Sequence, residues 1–328
     1  MTTLWDTTGT AVVKALAAQR RTGGAVTSGI ALTLVVVVDE KDVAEAEEAS
    51  TVAASKHPMR MLMVIRRQVD APVPRLDAEV LLGGRLGPGE AVVMRMYGRL
   101  ALHSESVTLP LLAPDAPVVT WWHGAPPDRI AYDPLGVNAD RRITDVQRAE
   151  DGVAALRQRA ADFAPGDTDL SWTRITGWRA ALASALDGQH DTPTSSTVYA
   201  EDSDPSALLL AGWLSARLGF YVPVTKSGDG EIDKVTIGFA DGAKFSADAD
   251  GGKLILQREG QQDSIAPFPE RSLGELLAEE LRRLDDDEIY AQALGAVTDL
   301  RGLAERPSNR VHIWKDPALA DDAASTAS

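Results

Sequence analysis

The chain has 328 residues, 44% apolar and 25% charged, which is ordinary for a globular protein and long enough for one large or two medium domains. Its formal net charge of −15 argues against nucleic acid or an anionic membrane surface as a partner, since both require a basic footprint. It has no cysteine, which excludes disulfides, thiolate-bound zinc, iron–sulfur clusters and thiol switching.

Residues 8–22 read as a helix with Val12, Val13 and Leu16 inward, stopped by Gly23–Gly24. The run IALTLVVVV at 30–38 is β-branched and apolar on both faces, as a central strand covered by helices is. It is too short to span a bilayer as a helix, and no basic segment leads into an apolar one at the N-terminus, so a cytoplasmic protein with no membrane partner is expected. Residues 41–56 are helical and end at His57–Pro58, because the residue before proline avoids the helical region. His57 is expected to cap the carbonyl end of that helix. MLMVI at 61–65 is a second buried strand, and 76–82 pairs with 91–98 through the glycine-rich 83–89. Those glycines lack the G-x-G-x-x-G spacing and precede a strand, which predicts a hairpin loop and no phosphate cradle. A short helix around 101–112 leads to the strand PVVTWW at 117–122, and 123–165 bridges to the second half.

That half opens with a helix over 169–186, capped by Thr168 or Asp169, followed by a polar loop at 188–196. Asp204–Pro205 starts a helix that is apolar almost all round and so must be buried. Residues 221–257 read as a β-meander with turns at SGDG, ADGA and DADGG. SLGE at 272–275 is a capping box opening a helix with a leucine stripe, a last helix covers 288–304, and the tail from 307 is expected to be largely disordered. The fold class is therefore α/β: an N-terminal α/β sandwich with a partly parallel sheet over 1–165, and a second α+β domain with a β-meander and flanking helices over 166–306.

The metalloprotease H-E-x-x-H, the hydrolase G-x-S-x-G and the Walker sequence are absent. SADADGGKLILQ at 246–257 resembles a calcium loop, but Ser246 and Gln257 replace its end carboxylates, so a β-turn is the better reading. The five histidines are scattered, with none paired at metal-ligand spacing. The acids Asp128, Asp133, Asp140 and Asp145 have no nucleophile beside them and read as a solvated loop. No catalytic residue, cofactor or metal is expected.

Two clusters remain as candidates for binding a partner. In the first, Trp121, Trp122 and His123 end a strand, followed by Arg141, Arg142 and Asp145. One of the adjacent arginines can pair with Asp140 or Asp145 while the other faces a ligand or partner. The second is GDTDLSWTRITGWR at 166–179, contributing Thr173, Arg174, Gly177 and Arg179. Ile175, Trp178, Leu182 and Leu186 form a core stripe with Trp172 at its edge. Arg179 points into that stripe, where an arginine needs a carboxylate or an aromatic face, and a partner such as Asp167 or a distant acid is expected. The opposite row, Thr173, Gly177, Ala180 and Ser184, is uncharged and suits close approach of another helix or of a partner's surface.

HPMR (57–60), PVVTWW, DPLG (133–136), RRITD (141–145) and GDTDLSWTRITGWR stand in the order found in the glucose-6-phosphate dehydrogenase assembly protein family, OpcA, which the chain resembles over most of 1–305. The resemblance implies a non-catalytic protein that binds glucose-6-phosphate dehydrogenase, promotes its assembly or active state, and supports NADPH production in the oxidative pentose phosphate pathway. Redox control through cysteines, associated with cyanobacterial members, cannot carry over to this chain. The alternative is an enzyme or sensor for a phosphorylated sugar or nucleotide at the strand ends near Trp122 and His123, with Arg141 or Arg142 clamping the anion.

Overall fold

A computed structural model describes residues 1–22, 29–87, 89–187, 191–201, 203–227 and 231–308. The expected glycine stop at 23–24, the first residues of the 188–196 loop, most of the SGDG turn and the tail from 309 lie outside these residues.

The first sheet has eight strands. Across it run β1 (Thr2–Leu4), β4 (Arg75–Leu82), β5 (Glu90–Tyr97), β3 (Met59–Arg67), β2 (Leu32–Asp39), β6 (Val118–Trp122), β7 (Arg141–Thr144) and β8 (Asp167–Asp169). From β5 to β8 all pairs are parallel, and β4 and β1 add an antiparallel edge. The β-branched run of β2 is central because both of its faces are covered. Leu34, Val36 and Val38 pack with Met61, Met63 and Trp121 beneath helix α2 (Val43–Lys56). Val35 and Val37 pack with Leu62, Val64 and Trp122 beneath α1 (Gly9–Thr22). Each such side chain contributes roughly 1.5–3 kcal/mol on burial. The glycine-rich 83–89 is a hairpin connection, with Gly83 N–H donating to the Gly89 carbonyl at 2.8 Å.

Between β5 and β6 the expected single helix is two short ones, α3 (Arg99–Leu102) and α4 (Glu105–Thr108), followed by a 3₁₀ turn at Leu109–Leu111 that Pro110 tightens. The bridging segment is also more ordered than a linker. It holds α5 (Pro134–Val137), strand β7 and helix α6 (Gly152–Asp162).

The helix expected over 169–186 is broken into α7 (Leu170–Arg174) and α8 (Thr176–Leu186) at Ile175, whose ψ is 7°. The carbonyl of Thr173 turns to accept from the guanidinium of Arg271, and Arg179 N–H starts the next helix on the Ile175 carbonyl at 2.9 Å. Asp169 is the N-cap, accepting from Ser171 N–H at 2.9 Å.

The second sheet runs β10 (Val224–Lys226), β9 (Pro193–Ala200), β11 (Lys234–Phe239), β12 (Lys244–Asp250), β13 (Lys253–Arg258) and β14 (Ser264–Pro267). β11 to β14 form the meander, β9 joins it antiparallel, and β10 pairs with β9 in parallel. Strand β9 replaces part of the expected polar loop. Ser195, Thr197 and Tyr199 alternate outward, while Ser196, Val198 and Ala200 are buried. The calcium-like stretch is the β12–β13 hairpin, turning at Gly251 and Gly252 with positive φ.

One face of this sheet packs against α9 (Pro205–Leu218) and α11 (Glu288–Thr298). Asp204 caps α9 through Ser206 and Ala207 N–H, as its Asp–Pro start predicts. α11 ends at Thr298, six residues earlier than expected, because Asp299 takes the left-handed conformation with φ 58°. The two cores exchange elements. α6 supplies Leu156 and Ala160 to the second, whereas α10 (Leu273–Glu280) returns Leu276 and Leu277 to the first.

Candidate functional site

The residues that mark the sequence converge where β7, β8, α7 and α10 meet. On β7 the side chains alternate, so Arg141 and Arg142 point to opposite faces. Arg142 is fully buried and donates to Asp167, to the Pro165 carbonyl, and to the Ala139 carbonyl at 2.7 Å. Gly166, with φ 90°, makes this possible, since a Cβ there would lie 2.4 Å from the Asp140 carbonyl oxygen and 2.8 Å from Arg142 Nη2. Burial pushes the Asp167 carboxyl up to about 6, against the pull of Arg142. Arg141 reaches the other way, to Glu280 at 2.5 Å and the Asp285 carbonyl at 2.7 Å. The second Glu280 oxygen accepts from Thr173 Oγ1 at 2.6 Å.

Asp145 holds Arg174 with two bonds of 2.6 and 2.8 Å. Asp169, wholly buried, accepts from Thr144 Oγ1 at 2.6 Å and from Val146 N–H at 3.0 Å, and burial, helped by the Asp145 charge, raises its pKa. Trp172 donates from its indole to Asp287 at 2.8 Å, and Asp287 also caps α11.

These contacts correct several expectations. The partners of Arg141 and Arg142 are Glu280 and Asp167, not Asp140 or Asp145, and neither arginine reaches solvent. An anion clamp at the strand ends would need a guanidinium that is already neutralised inside. Asp140 accepts from Val118 N–H at 2.8 Å. Arg179 does not pair with Asp167, which Arg142 holds, but stacks on Trp172, with Cζ 3.6 Å from the ring centroid. Gly177 lies against Phe268, where a Cβ would be 2.5 Å from Cε2, so this part of the uncharged row faces the chain's own interior. Thr173 is buried too, whereas Ala180 and Ser184 are exposed.

Trp121 and Trp122 are buried on opposite faces of β6. His123, also buried, stands edge-on to Trp121 with centroids 5.1 Å apart, its Nε2 3.2 Å from Glu45. Glu45 is held by Arg148 through two bonds of 2.9 Å, which lowers its pKa. Burial, reinforced by the Arg148 charge, depresses His123 and keeps the imidazole neutral near pH 7. His57 is the C-cap of α2, its backbone N–H donating to the Ala53 carbonyl at 3.0 Å, while its imidazole Nε2 contacts the Ala278 carbonyl of α10 at 2.7 Å and so joins the two helices.

Of the sequence-marked residues, Arg141, Arg142, Asp145, Thr173 and Arg174 meet in one junction, while the Trp121–Trp122–His123 group serves the first core. Glu280, Asp287, Phe268 and Arg271 are the junction residues that sequence reasoning missed. Glu280 carried a signal, because it falls three and four residues after Leu277 and Leu276, on the apolar stripe of its helix, where an acid needs a buried partner. Among the described residues no helix is long and apolar enough to cross a membrane.

The fold is an α/β scaffold whose characteristic polar residues lock two cores together. Residues 50–161 match a family model described as the N-terminal domain of a glucose-6-phosphate dehydrogenase subunit, and 165–294 match the C-terminal domain of the same description. The chain belongs to this family, the OpcA glucose-6-phosphate dehydrogenase assembly proteins. A relative described as a putative OxPP cycle protein OpcA, from Synechococcus elongatus, is 27% identical over 139 residues, covering 39% of this chain and 31% of the relative. The match thus spans about a third of that relative's length. Two solved structures show a weak likeness that bears no argument. KijD10, a 3-ketoreductase from Actinomadura kijaniata, is 9% identical with a TM-score of 0.43, covering 87% of this chain and 99% of that one. A dehydrogenase (MviM) from Clostridium difficile is 6% identical with a TM-score of 0.38, covering 84% and 98%.

Proposed function

We propose that the chain is a non-catalytic partner of glucose-6-phosphate dehydrogenase that favours the enzyme's assembled, active form and so supports NADPH production in the oxidative pentose phosphate pathway. The observation that carries this reading is the match of two consecutive segments to the two domains described for a dehydrogenase subunit. The polar junction supports it, because the arginines and acids that a reaction centre would draw on are paired with one another. The mechanism is a population shift: the chain binds the active conformation or oligomer more tightly than the inactive one. A tenfold gain in the active-to-inactive ratio requires about 1.4 kcal/mol of differential binding.

The test is a substrate-saturation curve of the dehydrogenase from the same organism, with and without micromolar chain. A lower half-saturation or a higher plateau is expected. Superimposable curves would count against the activating role.

A further inference from the structure

Two cavities beside α11 form one open groove, because Ala216 and Ala296 line both. The first, of about 560 Å³, lies between the ends of α9 and α11 and the start of β10, and its walls include Leu208, Val222, Val224 and Val297. Tyr221 stands on its rim and is 82% exposed. β10 is an edge strand, with no strand on its outer side among the described residues. The second cavity, of about 510 Å³, continues along Ala291 and Gln292 and is walled by residues 299–305 returning along α11. That returning stretch is anchored at both ends. Leu300 N–H donates to the Gly295 carbonyl at 3.1 Å, and Arg306 Nη1 donates to the carbonyls of Ala160, Ala161 and Phe163 at 3.0, 3.1 and 2.9 Å. Phe163 lies against Tyr290 in the first turn of α11, with ring centroids 6.1 Å apart. The chain therefore reaches residue 308 beside the groove, with residues 309–328 still to follow.

We propose that residues 311–314, Val-His-Ile-Trp, occupy this groove in the same chain and pack Val311, Ile313 and Trp314 against α9, α11 and β10. The inference is independent of the association proposed above. The reach is sufficient. From Tyr290, where the chain leaves, to Ala296, where the first cavity begins, is about 9 Å along the helix. The five residues from 306 to 311 span up to about 17 Å when extended. The sequence singles out the occupant, because Leu319 is the one other large apolar residue among residues 309–328. In an extended segment Val311 and Ile313 point to one side, into the apolar walls, while the main chain pairs with the open edge of β10. Trp314 then covers the exposed ring of Tyr221. Arg310 precedes the apolar run, and Asp299 and Glu305 outnumber Arg301 in the wall it has to pass. Anchoring through Arg306 makes the docking intramolecular, so a short apolar segment has a high effective concentration at the groove.

The experiment is amide hydrogen exchange of the full-length chain, corrected for intrinsic rates, on the wild type, Ile313→Asp/Trp314→Ser and Ala216→Lys. Ala216 is exposed and lysine is a good helix former, so that variant should fold as the wild type does. In the wild type the amides of residues 311–314 should exchange at least about tenfold more slowly than those of 319–328. Both variants should abolish this protection and speed exchange at residues 221–226 by at least about tenfold. Residues 311–314 that exchange as fast as 319–328 in the wild type overturn the proposal. So does protection that survives in the double variant, or a double variant that leaves 221–226 unchanged, even if Ala216→Lys fails to fold. Protection that survives in a folded Ala216→Lys places the segment elsewhere and overturns it too. Protection that rises with protein concentration would assign the groove to the segment of a second copy, with the same consequence.

Discussion

Replacing Glu280 by alanine tests the junction most severely. Glu280 is 7% exposed and neutralises Arg141, whose side chain is 5% exposed. In Glu280→Ala the guanidinium keeps only the Asp285 carbonyl, since its Nε already has no acceptor. Removing one member of a buried pair costs about 3–5 kcal/mol, mostly because the remaining charge stays desolvated. Thr173 loses its acceptor as well, but that hydroxyl can turn to the Asp169 carbonyl at 3.4 Å, so the total stays near about 4 kcal/mol. Removing both charges in Arg141→Met/Glu280→Leu should recover most of the loss and leave the protein within about 2 kcal/mol of wild type. Equilibrium urea unfolding of the wild type, Glu280→Ala and the double variant, read as midpoints and slopes, gives the comparison. The reasoning is refuted if Glu280→Ala stays within about 1 kcal/mol of wild type, or if the double variant is no more stable than Glu280→Ala.

Gly177→Leu should destabilise the chain by roughly 1–3 kcal/mol through overpacking against Phe268. In a Phe268→Ala background, Gly177→Ala should instead stabilise by up to about 1 kcal/mol, the ordinary gain of alanine over glycine in a helix, and urea midpoints check both signs. His123 has a folded pKa below its ordinary value of 6.5, so the unfolded chain takes up the proton first. Its contribution to stability is therefore present above pH 6.5 and is lost as pH falls through the folded pKa. The melting temperature of wild type should fall more steeply from pH 7 to pH 5 than that of His123→Phe. Comparing the two cancels the opposite contribution of the raised carboxyls Asp167, Asp169, Asp162 and Asp204.

The parts of this fold that were legible in the sequence are those where hydropathy and burial agree. Strands β2 and β3 are apolar on both faces because helices cover both, and the Ser272–Glu275 capping box forms as written. The bridging segment misled because its polarity is buried. Of the acids read as a solvated loop, Asp145 is buried and paired with Arg174, and the Arg142 and Thr144 side chains of β7 bond to Asp167 and Asp169 on β8. Strand β9 was hidden for another reason, since its first half is Pro, Thr and Ser, with Ser196 on the buried face, and only Val198 and Ala200 mark its apolar side. The candidate site divides the same way. Adjacency predicts that Arg141 and Arg142 diverge, but their partners lie 139 and 25 residues away, and no local pattern selects them. Arg179 was placed on the apolar stripe by helical spacing, and its aromatic contact follows once α7 and α8 kink at Ile175.

The central claim, association with the dehydrogenase, is tested most directly by sedimentation velocity of the two purified full-length proteins, separately and mixed at micromolar concentration. The account predicts a species heavier than either protein alone, containing both chains and growing with concentration. Two boundaries that sediment in the mixture as they do apart would contradict it.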